Sequence, residues 1–147
     1  MEKPTPSQQA EVSLSITSLK MISDDRALLL FNKIVDSDNN NDRFISMKEI
    51  SLSLRQYYSG VSGLLKTGLI KRHKGKYIPT LLGRVVYDSQ MLIGEALSHY
   101  WKLKVIDQIE TSDSDLPTEG ITRLIDTLID NHRIKDVLMK QAGAAKA

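Results

Sequence analysis

The basic side chains of this sequence are concentrated in a short segment that holds no acidic residue. Seven of the 20 Lys and Arg residues lie between Ser51 and Tyr87, whereas all 18 Asp and Glu residues lie outside that segment. The seven are Arg55, Lys66, Lys71, Arg72, Lys74, Lys76 and Arg84. Guanidinium and ammonium groups bind phosphate oxygens through charge-assisted hydrogen bonds. The formal net charge is only +2, but this distribution indicates a polyanion as the first candidate partner.

Other kinds of chemistry find little support in the residue types and their spacing. Without cysteine, the chain has no disulfide, thiolate metal site or cysteine nucleophile. His73, His99 and His132 lack metal-ligand spacing on one helix, so we expect no metal, although a site shared between subunits stays open. The loop "DSDNNND" fails the calcium pattern, because Asn41 and Met47 stand where Gly and Glu are required. No nucleophile motif or phosphate-binding glycine loop is present, and we expect neither enzymatic activity nor a cofactor.

Apolar periodicity predicts the elements that position the basic residues. Before the basic segment we expect a helix capped by Ser23 and ending near Asp36, then a very short strand at Phe44 and Ile45. Beside the segment we expect a short helix that opens at Ser46. Within it we expect a helix over 55–67, with Tyr57, Val61, Leu64 and Leu65 inward. Two strands over 69–73 and 76–78 then flank a turn at 74–75. Gly68 is placed to end the helix, and Thr80 to cap the next one.

The second half of the chain predicts more helix. Nothing strongly breaks the pattern from Thr80 to about Glu110, which as one helix would span about 45 Å. Further helical segments follow from Pro117 and around Ile134. Residues 1–20, with Pro4 and Pro6, are expected to be disordered or loosely ordered apart from a short ordered piece.

The order of these elements predicts a mainly α fold with a small β-wing. A winged helix-turn-helix domain over 21–80 is followed by a long dimerisation helix and C-terminal helices over 81–140, with a tail at 141–147. We therefore expect the helix over 55–67 to enter the DNA major groove. The hairpin over 69–79 is expected to be the wing, which contacts the DNA backbone or the minor groove.

Several stretches of the sequence resemble a known family. The run "SLRQYYSGVSGLLKTGLIKRHKGKYIPTLLGRVVYDSQ" is similar to the core of winged-helix transcription regulators of the broad MarR/ArsR-like type. Four strings resemble a group of single-domain regulators from ammonia-oxidising archaea, namely "ISDDRALLLFNKI", "RQYYSGVSGLLKTGLIKR", "ALSHYWKLKVIDQI" and "LIDTLIDNHRIKDVL". The resemblance implies an archaeal, non-enzymatic protein that binds DNA as a homodimer.

The sequence departs from this group at two glycines. Members often carry a large polar or basic residue where this chain has Gly60 or Gly63. A glycine inside a helix costs about 1 kcal/mol relative to Ala. Either the helix backbone approaches another element there, or the helix makes fewer base contacts.

The candidate DNA-binding residues lie on the helix, on the wing and just after it. On the outward face of the helix, Arg55 and Gln56 are placed for base edges, and the other positions for phosphates. The full set is Arg55, Gln56, Tyr58, Ser59, Ser62, Lys66, Arg72, His73, Lys74, Lys76 and Arg84. An ordinary solvated helix face and a charged edge that prevents aggregation are the alternatives, although acids would protect an edge equally well.

The apolar stripe on the long helix predicts a homodimer. Its expected interface residues are Val86, Ile93, Leu97, Tyr100 and Leu103, which a second copy would cover. The segment over 117–139 folding back within one chain is an alternative that is compatible with a dimer. Tyr100 and Trp101 are expected at a core or interface rather than in a small-molecule pocket.

Together these features predict a DNA-binding transcriptional regulator, cytoplasmic and nucleoid-associated, whose partners are double-stranded DNA and a second copy of itself. We expect no membrane contact, and the sequence leaves open whether a small-molecule effector binds. The alternative is a winged-helix protein-interaction module of the transcription or chromosome machinery. RNA is less favoured, because stacking aromatics are scarce outside Tyr57 and Tyr58.

Overall fold

The computed structural model describes residues 3, 5–41, 50–112 and 117–144. It is mainly helical, with one two-stranded antiparallel sheet, and its elements in chain order are α1 (Pro6–Ser23), α2 (Asp25–Asn39), α3 (Leu54–Lys66), β1 (Ile70–His73), β2 (Lys76–Pro79), α4 (Leu81–Ser98), α5 (Tyr100–Ser112), α6 (Thr118–Leu128) and α7 (His132–Ala144). The chain divides into two compact units, unit 1 (Met1–Tyr87) and unit 2 (Asp88–Ala147). The strand expected at Phe44 and Ile45 and the helix expected to open at Ser46 lie outside the described residues.

The core of unit 1 is an apolar cluster between α2, α3 and the hairpin formed by β1 and β2. Its buried members are Leu30, Phe31, Ile34, Val35, Ile50, Val61, Leu64, Leu69 and Ile70. Helix α2 contributes four of them at helical spacing, and Asp24 starts this helix by accepting hydrogen bonds from the amides of Arg26 and Ala27, both at 3.0 Å. Ser23, the expected cap, is instead the last residue of α1.

Residues Pro6–Ser23 form a helix where the sequence predicted a loose arm with a short ordered piece. Its start has a physical cause that the polar composition obscured. Thr5 and Gln8 form a capping box, in which each side chain bonds the other residue's amide, and Pro6 occupies the first turn, where its missing N–H costs nothing. The apolar side chains of Val12, Ile16 and Leu19, spaced four and three residues apart, are exposed along α1.

The junction between α3, the hairpin and α4 is held by main-chain contacts. Helix α3 ends in a Schellman motif, in which Gly68 has a φ of 74° and the amide of Leu69 bonds the carbonyl of Leu64 at 3.0 Å. The Thr80 amide donates to the Leu69 carbonyl at 3.0 Å, and the Thr80 hydroxyl donates to the Gly68 carbonyl. That hydroxyl also accepts from the Gly83 amide at 3.0 Å, so Thr80 caps α4 as the sequence predicted.

Gly83 is buried at this junction because α4 crosses the Leu69 carbonyl at a distance that leaves no room for a side chain. A Cβ built on Gly83 would overlap the Leu69 carbonyl oxygen, which is main chain and cannot rotate away. The close approach of the two backbones therefore requires glycine here.

The core of unit 2 is built from α5, α6 and α7. Its buried residues are Ile106, Ile125, Ile129 and Ile134, with Leu103 and other half-buried side chains packed against them. Arg133 ties the start of α7 to α4 through Glu95 (2.9 Å) and the Asp88 carboxylate (3.2 Å). Asn131 caps α7 with its carbonyl oxygen and donates its amide to Glu95 at 3.0 Å. The sequence predicted the break before α7 but gave no sign of this polar network.

A break at His99 divides the single long helix that the sequence predicted into α4 and α5. Two side chains form hydrogen bonds with the Glu95 carbonyl oxygen, namely the Ser98 hydroxyl at 2.6 Å and His99 Nδ1 at 2.9 Å. The His99 amide then bonds the carbonyl of Ala96 instead, in a tighter turn. Side-chain competition for one carbonyl thus interrupts the helix without a Gly or Pro.

Each helix in the described ranges is too short or too polar to reach across a lipid bilayer.

Replacing Gly83 by Ala is expected to lower the free energy of unfolding by about 3 kcal/mol, because the new methyl group forces α4 away from the hairpin. Gly94→Ala is the matched control, since nothing lies within 4 Å of a Cβ at this position of the same helix. It is expected to add about 1 kcal/mol through helix propensity. Urea unfolding followed by circular dichroism measures both, and equal effects of the two substitutions would contradict the close approach.

Candidate nucleic-acid interface

Helix α3 keeps most of its predicted outward face accessible. Ser53 caps the helix, and the apolar side chains of Tyr57, Val61 and Leu64 point into the core. Five of the six predicted outward residues are exposed, namely Arg55, Tyr58, Ser59, Ser62 and Lys66. Leu65, which was expected inward, is 40% exposed. It directly follows the buried Leu64, and successive residues of a helix point about 100° apart. No described element covers the line from Arg55 to Lys66.

Gln56 is the outward residue that the structure places differently. Its side-chain oxygen accepts a hydrogen bond from the Ser53 amide at 3.0 Å, while the Ser53 hydroxyl accepts from the Gln56 amide at 3.2 Å. This capping box leaves Gln56 half-buried. Bidentate recognition of adenine needs both the oxygen and the nitrogen of the side-chain amide, and the cap already uses the oxygen. Arg55 therefore remains the one described residue in the first turn of α3 with a free side chain suited to a base edge.

The two glycines of α3 face neighbouring helices, which resolves the alternative that the sequence left open. A Cβ on Gly60 would lie 2.8 Å from Leu30 Cδ2 of α2. On Gly63 it would lie 2.5 Å from Met21 Cε of α1. Glycine at these positions lets α3 approach both helices, and neither position belongs to the outward face.

The hairpin turn places a lysine at its tip in a conformation that favours glycine or asparagine. Lys74 and Gly75 have φ values of 49° and 80°, the signs that a two-residue type I′ turn requires. The strands pair Arg72 with Tyr77 and His73 with Lys76. Lys71, Arg72, His73 and Lys74 are all exposed. Lys71 was counted among the basic residues but left out of the predicted site, although it lies on the same exposed strand.

Asp38 of α2 pairs with two of the predicted DNA-binding cations. Its carboxylate lies 3.3 Å from Arg84 Nη2 and 4.0 Å from Lys76 Nζ, and only 18% of the Asp38 side chain is exposed. Lys76 is half-buried as a result of its position on β2. The fold therefore brings an acidic side chain from outside the segment next to two of its cations. These two cations are less available to bind phosphate than the other basic residues of the segment.

The remaining cations of α3 and the hairpin have no such partner among the described residues. Among the described residues, no carboxylate lies within 4.0 Å of the charged nitrogens of Arg55, Lys66, Lys71, Arg72 or Lys74. Unpaired surface cations on two adjacent elements create a local positive potential that attracts polyanions.

A groove of about 450 Å³ lies beside the first half of α3. It separates Arg55 and Ser59 from the end of α1 and the start of α2. Met21, Ala27 and Gly60 contribute the apolar part of its lining. Sequence reasoning missed this feature, because the helix that forms its far wall was expected to be loose.

Two tyrosines of unit 1 have perturbed ionisation. Burial raises the pKa of Tyr57 above its usual value of 10.0, and the nearby Tyr77 and Tyr58 raise it further. Burial also raises the pKa of Tyr87, whose hydroxyl donates to Asp36 at 3.1 Å. Both phenols are therefore neutral at physiological pH and add no negative charge beside the basic face.

The predicted dimer residues fall into two groups. Ile93, Leu97 and Tyr100 are exposed by 60%, 66% and 50%, whereas Val86 packs on the core of unit 1 and Leu103 on the core of unit 2. Trp101 is 71% exposed and lies edge-on to Tyr100, with Lys104 Nζ 5.3 Å from the Trp101 ring centroid. Ile93 and Leu97 lie one turn apart on α4, whereas Tyr100 and Trp101 begin α5, so the break at His99 divides the predicted stripe between two helices.

The part of the chain that the structure describes contains no group of three or more His, Asp or Glu side chains arranged to hold a metal ion. Comparisons of the chain with protein-family models, with curated proteins and with solved structures found no match.

Replacing Lys74 by Asn is expected to raise the free energy of unfolding by up to about 1 kcal/mol, because Asn tolerates the left-handed conformation at the hairpin tip. Lys71→Asn is the control: it removes the same charge from a strand position, where Asn is disfavoured, and is expected to lower stability slightly. Thermal unfolding compares the two variants. A loss of stability in both would contradict the assigned turn.

Proposed function

We propose that the chain is a DNA-binding transcriptional regulator that acts as a homodimer, in which residues 21–80 form a winged helix-turn-helix. In this proposal α3 enters the major groove, and the hairpin is the wing that contacts the backbone or the minor groove. The protein has no enzymatic role and works in the cytoplasm on the nucleoid of an archaeal cell. The family resemblance of the sequence favours the same assignment.

The observation that carries the proposal is the positive charge on α3 and the hairpin that no described carboxylate pairs. Arg55, Lys66, Lys71, Arg72 and Lys74 are exposed, and no described carboxylate neutralises them. In the proposed complex Arg55 contacts a guanine edge, and Ser59, Ser62 and Lys66 contact phosphates. Because phosphate contacts supply affinity and base contacts supply specificity, the two sets of residues have separable effects on binding.

A homodimer gives the exposed face of unit 2 a partner. The apolar side chains of Ile93, Leu97 and Trp101 are more than half exposed in one chain, which is costly in water. A two-fold interface lets the same patch cover itself on a second copy. Two subunits would then present two copies of α3 to half-sites about 34 Å apart.

The alternative function is a winged-helix module that binds a protein of the transcription or chromosome machinery. A specific observation favours it: Leu54, Tyr58 and Leu65 of α3 are exposed by 56%, 60% and 40%. An apolar protein surface would cover these residues better than a phosphate backbone would. DNA binding separates the two functions, because the module would not retain duplex DNA at moderate salt.

Mixed-sequence duplexes of about 25 base pairs are expected to bind with an affinity that falls steeply with salt, with a log–log slope of several units. The double variant Lys71→Gln with Lys74→Asn is expected to weaken binding to every duplex and to reduce the slope by about 2. Arg55→Ala is instead expected to change which sequences are retained from a random library, at about 1–3 kcal/mol per guanine contact. Fluorescence anisotropy and library selection measure these effects. Equal losses on all sequences from both variants would contradict the division of roles.

Replacing Leu97 by Glu is expected to convert the dimer into a monomer, because it buries a carboxylate in the apolar interface. Arg123→Glu, at an exposed position of α6, is the control and is expected to leave the dimer intact. Sedimentation velocity at micromolar concentration reports the mass of each. A monomeric wild-type protein, or a dimeric Leu97→Glu variant, would contradict this interface.

A further inference from the structure

The groove beside α3 carries positive charge from three different elements. Lys20 lies in the last turn of α1, Arg26 in the first turn of α2 and Arg55 in the first turn of α3, and all three line the groove. Each of the three side chains is exposed. Elements that come from separate parts of the chain thus bring three cations to one place.

Among the described residues that line the groove, Asp24 is the one with an acidic side chain. Its Oδ1 accepts two hydrogen bonds from backbone amides at the start of α2, which orients the carboxylate toward the main chain. No described carboxylate lies within 4.0 Å of the charged nitrogens of Lys20, Arg26 or Arg55. The described lining of the groove therefore carries three cations and one carboxylate, and no described carboxylate pairs with the cations.

The groove is also continuous with the face that the proposed function assigns to DNA. Arg55 and Ser59 belong both to its lining and to the exposed side of α3. A duplex that receives the first turn of α3 in its major groove has a phosphate strand on each side of that helix. The hairpin cations are placed to contact the phosphate strand on one side of α3. The groove lies at the other end of the basic surface, along the α1–α2 junction.

We propose that this groove binds the DNA phosphate backbone, with Lys20 and Arg26 as two contacts that neither the recognition helix nor the wing supplies. The inference rests on the proposed function and extends its footprint to the α1–α2 junction. Lys20 and Arg26 donate to phosphate oxygens and fix the register in which Arg55 meets the bases. Since they touch no base, they contribute equally to binding on every sequence.

The size of the expected effect follows from counterion release. Each phosphate contact contributes about 0.9 to the slope of log affinity against log salt, which is about eightfold in affinity at 0.1 M salt. Loss of two contacts is therefore expected to reduce the slope by about 2 and the affinity by more than tenfold.

The test compares two double variants of the full chain that remove the same charge. Lys20→Gln with Arg26→Gln empties the groove of two cations and keeps long helix-forming side chains. Arg123→Gln with Lys140→Gln is the control, because both residues are exposed on helices of unit 2 and no described carboxylate pairs with them. Anisotropy titrations with one duplex at several salt concentrations give the affinity and the slope, and circular dichroism melting confirms that each variant is folded.

A loss of more than tenfold in the groove variant, with less than a threefold change in the control, is the expected result. If the groove variant binds like the control while the hairpin variant is weakened, the groove is not a DNA contact and the proposed function still holds. If both double variants lose affinity equally, the effect comes from overall charge, and the groove assignment is overturned. If the wild-type chain binds no duplex, the proposed function itself fails, and the groove assignment fails with it.

Discussion

The arrangement of unit 1 depends on the close approach of two backbones where the hairpin closes on α3 and α4 begins. The Leu69 carbonyl accepts from the Thr80 amide at 3.0 Å, and α4 crosses the same carbonyl at Gly83. The Thr80 hydroxyl joins the Gly68 carbonyl to the Gly83 amide. Because main-chain atoms form this junction, it fixes the direction in which the hairpin leaves α3, and hence the spacing between the cations of the helix and those of the hairpin.

The distribution of charge follows from this geometry. The core of unit 1 consists of aliphatic and aromatic side chains, so every cation of the acid-free segment has to lie at the surface. Asp38 then neutralises Lys76 and Arg84 near the base of the hairpin. Positive charge remains on the outer side of α3 and at the hairpin tip, and the α1–α2 junction adds Lys20 and Arg26. One surface of unit 1 thus combines rigid elements with cations that no carboxylate in the described part of the chain pairs, and the proposed DNA contact requires this combination.

The sequence predicted those features that local patterns determine. Helix α3, the two strands, the turn at Lys74–Gly75 and the break before α7 follow from periodicity and turn chemistry, and they lie within a residue or two of the predicted positions. Features that depend on distant residues could not be predicted in this way. Asp38 pairs with Lys76 and Arg84, which lie far from it in the sequence. The side chains that Gly60 and Gly63 face lie on other helices. The break at His99 is local, but it arises from competition for one carbonyl, which leaves no mark on the hydrophobic pattern.

In the proposed complex, duplex DNA lies against the outer side of α3 and the hairpin. An NMR titration of the ¹⁵N-labelled chain with a mixed-sequence duplex tests it most directly, because each backbone amide reports its own surroundings. We expect the largest shifts at Arg55–Lys66 and Lys71–Gly75, with smaller ones along the α1–α2 junction. Shifts confined to residues of unit 2, or a spectrum that the duplex leaves unchanged at low salt, would contradict it.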